Sequence, residues 1–202
     1  SGNIAVTASG MSALMLTAQA LIGHADRVVA VTPLWPNLVE IPKILGAAVD
    51  TVALRFTPQG WTLDLDHLLR ALTPDTRAVL INSPNNPTGK VFTRLELEYI
   101  ATLCQEFDTL AITDEIYEHI LYDGAVHIPI MSLPGMRERS ILVNSMSKTY
   151  SVTGWRVGWA IAAAPLMAGI RATHDFVTVG APTPLQVAGV AALGAPASYY
   201  EG

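Results

Sequence analysis

The 202-residue sequence carries 12 Lys and Arg against 17 Asp and Glu, a formal net charge of -5, and half of it is apolar. That is ample material for the core of one large domain. A modest acidic balance without clustered positive charge excludes a nucleic-acid surface, and no block of like charges marks a disordered tail. Cys104 is the only cysteine, so an internal disulfide is excluded and a reducing, cytoplasmic setting is expected. Residues 1–10 lack the basic start and apolar stretch of a signal peptide. The uncharged run Val157–Ile170 is too short to span a bilayer and is broken by Pro165, so a soluble protein without a membrane partner is expected.

Short β-branched runs alternate with helical patterns, the sign of a βαβ architecture. In chain order the spacing predicts a helix over Met11–Ile22, strands over Arg27–Val31 and Ala47–Leu54, a helix over Asp64–Leu72 and a strand over Arg77–Asn82. A helix over Arg94–Phe107 follows, with Thr93 and Glu96 placed as a capping box and Cys104 in line with the apolar Leu97, Ile100 and Ala101. Strands over Leu110–Thr113, Ser140–Asn144 and Val157–Ala162 come next, then helices over Pro165–His174 and Pro184–Leu193. The uncharged stretch Phe176–Tyr200, with three prolines, reads as loop and buried helix. The strands are nearly continuous apolar runs, as when both faces are covered, so an α/β fold is expected: a mostly parallel sheet with helices on both faces.

Ligands of such sheets bind beyond the carboxyl ends of the strands. Three polar segments fall there: Asn82–Gly89, Asp114–Tyr117 and Ser145–Lys148. A lysine just past a buried strand is costly unless it is used, and a desolvated lysine is the residue type that forms a Schiff base with a carbonyl cofactor. Ser145 and Arg156 offer a hydroxyl and a planar cationic fork to a phosphate. Alone, this run reads equally as an exposed lysine with a structural arginine. Asp114 ends a strand and suits a cationic ring nitrogen, with the Tyr117 hydroxyl within reach of a phenolic oxygen; the alternative is a helix N-cap aspartate and an ordinary half-buried tyrosine. In Asn82-Ser-Pro-Asn-Asn86-Pro-Thr-Gly89, proline, asparagine and glycine make a tight turn that aims Asn86 inward. Gly89-Lys90 is no P-loop, because Pro84 stands where that motif needs glycine. Ser9-Gly10-Met11 precedes a helix whose first amides suit an anion, and Trp35 follows a strand where it can stack on a planar ring or pack in the core.

Together these segments resemble the aspartate-aminotransferase-like family (class I/II aminotransferases), of pyridoxal-phosphate fold type I. Ser145–Gly158 is similar to its lysine-attachment signature along its full length. Asn86-Pro-Thr-Gly and Asp114-Glu-Ile-Tyr117 occur in the family's order, and Trp35-Pro-Asn resembles the loop that supplies the ring-stacking aromatic. The resemblance implies pyridoxal 5'-phosphate as cofactor, joined to Lys148 as a Schiff base, with Lys148 later moving the proton. It implies Asp114 at the pyridine nitrogen, Tyr117 and Asn86 at the phenolic oxygen, Trp35 over one ring face, and Ser145, Arg156 and the Ser9–Met11 amides at the phosphate, with Ser147 assisting. Amino acid and 2-oxo acid substrates and a homodimer are implied likewise. No metal is called for.

Family members are considerably longer, with a smaller domain built from both chain ends that supplies an arginine for the substrate carboxylate. No arginine here maps to that position, so residues 1–202 are expected to be the cofactor-binding large domain, with the small domain largely absent. A piece of this kind would bind cofactor yet transaminate poorly alone. The alternatives are a lyase or synthase of the same fold, or a non-catalytic domain that senses the cofactor or an amino acid.

Overall fold

The computed structural model describes residues 2–200. Its elements in chain order are β1 (Ile4–Thr7), α1 (Gly10–Leu21), β2 (Arg27–Thr32), α2 (Asn37–Ile44), β3 (Ala48–Ala53), β4 (Arg55–Thr57), β5 (Gly60–Thr62), α3 (Leu65–Ala71), β6 (Thr76–Asn82), α4 (Arg94–Glu106), β7 (Leu110–Asp114), β8 (Ser140–Ser145), β9 (Gly158–Ala162), α5 (Ala164–Val177) and α6 (Thr183–Leu193). Seven strands form one sheet in the order β1-β9-β8-β7-β6-β2-β3, while β4 and β5 pair as a separate hairpin. The five strands from β3 to β8 in that order are mutually parallel.

Alternation along each strand divides the core in two. Val28, Ala30, Ala78, Leu80 and Ile112 face α1, α2 and α5, whereas Val29, Val31, Val79, Ile81 and Ala111 face α3 and α4. Apolar side chains are therefore needed on both faces of every central strand, which is why these strands read as unbroken apolar runs. The capping box at the start of α4 is formed, with the Thr93 hydroxyl accepting from the Glu96 amide and the Glu96 carboxylate accepting from the Thr93 amide. Cys104, on the inner face of that helix, is fully buried, and burial pushes its thiol up to about 12. No described helix is long and apolar enough to cross a membrane.

Five features go beyond the expectations drawn from the sequence, the β4–β5 hairpin among them. β9 runs antiparallel to both of its neighbours, β8 and β1. A parallel return needs a long crossover, usually through a helix, and the segment between β8 and β9 holds only the 3-10 turn Thr153–Trp155. β1 is a strand where none is expected; it is four residues long, and Ile4 pairs with Ile161 at the far end of the chain. α2 is hidden in the sequence by Pro42, which sits inside the helix. α6 is a helix but not a buried one: Gly189 is its one fully covered residue, while Val187 and Val190 are about two-thirds exposed. Its apolar residues surround the helix instead of forming a stripe, so composition alone gives no sign of which side meets the body.

Candidate active site

At the carboxyl ends of β6, β7 and β8 lies a cavity of about 350 Å3, within the usual range for small-molecule sites, about 300–1,000 Å3. Ser9, Gly10, Met11, Trp35, Asn86, Asp114, Tyr117, Ser145, Ser147, Lys148 and Arg156 all line it. Every candidate residue from the sequence is thus brought to one place. Leu14, Asn37, Asn82, Ile116 and Thr153 line it as well and were not among the candidates. Asn82 stands in the sequence as the first residue of a turn, and Asn37 and Thr153 carry no signal beyond adjacency to Trp35 and Lys148.

One wall is the start of α1. Ser9 caps it, its hydroxyl accepting from the Ser12 amide at 3.1 Å, and its backbone sits at a φ of 140°. The first amides of α1 have no partner within the helix and carry its positive dipole end. Across from them stands Ser145, whose Cβ would lie 3.5 Å from a Cβ added at Gly10. Gly158, at the start of β9, touches the same turn: a Cβ there would run into the Gly10 nitrogen and the Ser9 carbonyl carbon. Only glycine lets β9 approach this closely, since neither backbone atom can move aside. The Ser145 hydroxyl accepts from the Ser147 amide at 3.2 Å, and Arg156, in the left-handed region at φ 53°, donates from Nη1 to the Thr153 carbonyl at 2.9 Å. An anion in this corner meets helix amides, two serine hydroxyls and a guanidinium.

Asp114, at the tip of β7, lines the cavity as well. The residue is 6% exposed, and its carboxylate accepts one bond from the Ile116 amide at 3.3 Å and has no cationic partner among the described residues. Burial raises its pKa to about 7, with the neighbouring Glu115 adding to the rise and the Ile116 amide opposing it. A buried carboxylate that borders a cavity without a counter-ion is suited to a cationic ligand atom. In the same cavity, Asn86 Nδ2 donates to the Tyr117 hydroxyl at 3.3 Å, and the Lys148 ammonium stands 5.9 Å from the Tyr117 ring centre. The alternative reading of Asp114 as an N-cap fails, since no helix starts there.

Behind the wall, Glu115 lies outside the cavity lining. It accepts from the Thr113 hydroxyl at 2.8 Å and pairs with His127 Nε2 at 2.7 Å. Burial raises its carboxyl and His127 works against that rise. Glu118 comes near the same pair, and the two bonds already account for the buried Glu115 carboxylate without a metal. Replacing His127 with alanine strips the buried Glu115 carboxyl of its hydrogen-bond partner and is expected to lower stability by about 2 kcal/mol in urea unfolding. A loss below about 0.5 kcal/mol would mean the pair contributes nothing net.

Comparison with known proteins agrees with this geometry. The family model described as aminotransferase class I and II matches residues 3–201. Kynurenine--oxoglutarate transaminase 1 of Homo sapiens is 39% identical over 195 residues, covering 92% of this chain and 46% of that protein. A probable N-succinyldiaminopimelate aminotransferase of Mycobacterium tuberculosis is 37% identical over 190 residues, covering 94% of this chain and 48% of its own length. The solved structure of N-succinyldiaminopimelate aminotransferase from Mycobacterium tuberculosis superposes with a TM-score of 0.95 at 36% identity, covering 98% of this chain and 52% of that one. The chain spans about half the length of the curated relatives it matches. With the fold, the cavity and these likenesses together, the chain belongs to the class I and II aminotransferase family.

Proposed function

We propose that residues 1–202 are the cofactor-binding large domain of a pyridoxal-phosphate-dependent aminotransferase that moves an amino group between an amino acid and a 2-oxo acid. The observation that carries this reading is the presence in one cavity of Lys148 and a buried Asp114 that has no counter-ion among the described residues. The residues present fit the cofactor: one cavity is lined by a cation-seeking carboxylate, an anion-seeking corner and an amine. When bound, pyridoxal phosphate supplies an aldehyde carbon that takes up amino groups and a ring that accepts electron density.

The chain's own residues supply the rest. Asp114 keeps the ring nitrogen protonated by direct charge pairing. Asn86 and Tyr117 donate to the phenolic oxygen, and Trp35 covers one ring face. Ser145, Arg156 and the Ser9–Met11 amides hold the phosphate, with Ser147 beside them. Lys148, as a free amine, would take a proton from the substrate α-carbon and hold it as an ammonium for return. Substrate choice and the grip on the substrate carboxylate belong to the remainder of a full-length enzyme. That enzyme acts as a cytoplasmic homodimer in this reading, which the exposed apolar surface of α6 and the single buried thiol of Cys104 support.

The test is covalent. Purified chain is mixed with pyridoxal phosphate, reduced with borohydride, and the labelled lysine mapped. The sequence holds three lysines, and two are engaged elsewhere: Lys43 with Glu40 at 2.8 Å, and Lys90 with Glu96 at 2.8 Å. Label on Lys148 alone is expected. No label, or label spread evenly over the three, would overturn the reading.

A further inference from the structure

We infer that Asn82 is a positioning residue for the cofactor, and that one buried amide sets both the carboxylate at the ring nitrogen and the donors at the phenolic oxygen. This rests on the reading of the cavity as a pyridoxal-phosphate site. Asn82 is the last residue of β6, 2% exposed, and lies in register with Asp114 on β7. Its Nδ2 donates to the Asp114 carbonyl at 2.9 Å, and its Oδ1 accepts from the Asn86 amide at 2.6 Å. The two bonds define which end of the amide is which, because a carbonyl must meet the NH2 and an N–H must meet the oxygen.

Through these bonds three cavity residues hang on one side chain. Asp114 is pulled against the tip of β6, where its carbonyl also accepts from the Ser83 amide at 3.1 Å. Asn86 is drawn inward by its backbone, so that its own side chain reaches the Tyr117 hydroxyl. Asn85 does the outer work of the same turn: Nδ2 donates to the Pro33 carbonyl at 3.1 Å and Oδ1 accepts from Thr88. The turn is thus held from both sides, and Asn82 is the side that faces the ligand. No aliphatic residue of the same size can both donate and accept at that point, and a misplacement of about 1 Å at such a site is expected to weaken binding markedly.

Asn82→Ala and Asn82→Leu separate this role from a merely structural one, the second because it keeps the core filled. Both are compared with the unsubstituted chain for pyridoxal phosphate affinity, for visible circular dichroism per bound cofactor, which reports how firmly the ring is held, and for melting of the cofactor-free chain. The expected result is an affinity loss of about tenfold or more and dichroism reduced to about half or less, while the Leu variant still melts cooperatively. Unchanged affinity and dichroism in a folded variant would overturn the inference while leaving the proposed function intact. So would a binding loss that only tracks the fraction unfolded in both variants. If the unsubstituted chain carries no chromophore on Lys148, the proposed function itself falls and this inference falls with it.

Discussion

Replacing Lys148 with alanine in the full-length enzyme is expected to lower turnover by at least about 10⁴-fold, with the loss in kcat and not in KM. Two roles combine in that loss. A positioned amine acting as acid and base contributes about 10²–10⁴-fold, and in the proposed role the same amine would anchor the aldehyde carbon, so its removal would delete a second contribution. Nothing nearby can substitute. The other two lysines are tied to Glu40 and Glu96, and no histidine lines the cavity among the described residues. The fold should hold, because Lys148 is half-buried, and the backbone around it is fixed by the Ser145–Ser147 bond and by the Tyr199 hydroxyl donating to the Thr149 carbonyl. Single-turnover measurement with an amino acid checks this. A variant with ordinary turnover would remove Lys148 from the chemistry, and a partial return of rate with added methylamine would assign it the proton transfer.

Much of the site is legible in the sequence because of where its residues stand along the chain. In a doubly covered sheet a polar residue at the end of an apolar run has few reasons to be there, so Asp114 and Ser145 stand out, and Asn86 does so through its proline-rich turn. Register carries no such mark. Asn82 is visible only as the end of a strand and the opening of a turn, because its bond to the Asp114 carbonyl depends on β6 lying beside β7, a pairing across 32 positions. Asn37 and Thr153 enter the cavity for the same kind of reason, through the approach of α2 and of the turn before β9. In the fold, the buried parallel strands are legible from their apolar runs. The edge strand β1, half of whose side chains are exposed, is not, and neither is the direction of β9, which is settled by the absence of a helix between it and β8. α6 misleads in the other direction, since an uncharged helix reads as core whether or not anything packs on it.

Asp114→Asn is expected to move the cofactor-free chain and the working enzyme in opposite directions. Without a ligand, the folded state holds the Asp114 proton up to about pH 7, whereas the unfolded chain releases it near its ordinary value of 3.8. Between those limits the folded state binds more protons, so stability falls as pH rises through the window and levels off above it. A rise of that size amounts to at most about 4 kcal/mol. Asparagine has no charge to bury and can still accept from the Ile116 amide. The variant should therefore match the parent chain near pH 4 and exceed its stability at about pH 8, as read by urea unfolding at both pH values. With the cofactor bound the balance reverses, because the carboxylate then has its cation. Removing one partner of a buried charge pair costs about 3–5 kcal/mol, or roughly two to four orders of magnitude in cofactor affinity and turnover combined. A variant that gains no stability at the higher pH would show that Asp114 finds a counter-ion or water that neutralises its burial. One that keeps full affinity and rate would show that the ring nitrogen does not need it. The same carboxylate is thus a liability to the empty fold and an asset to the loaded one, which is the expected condition of a group placed for its ligand and not for the core.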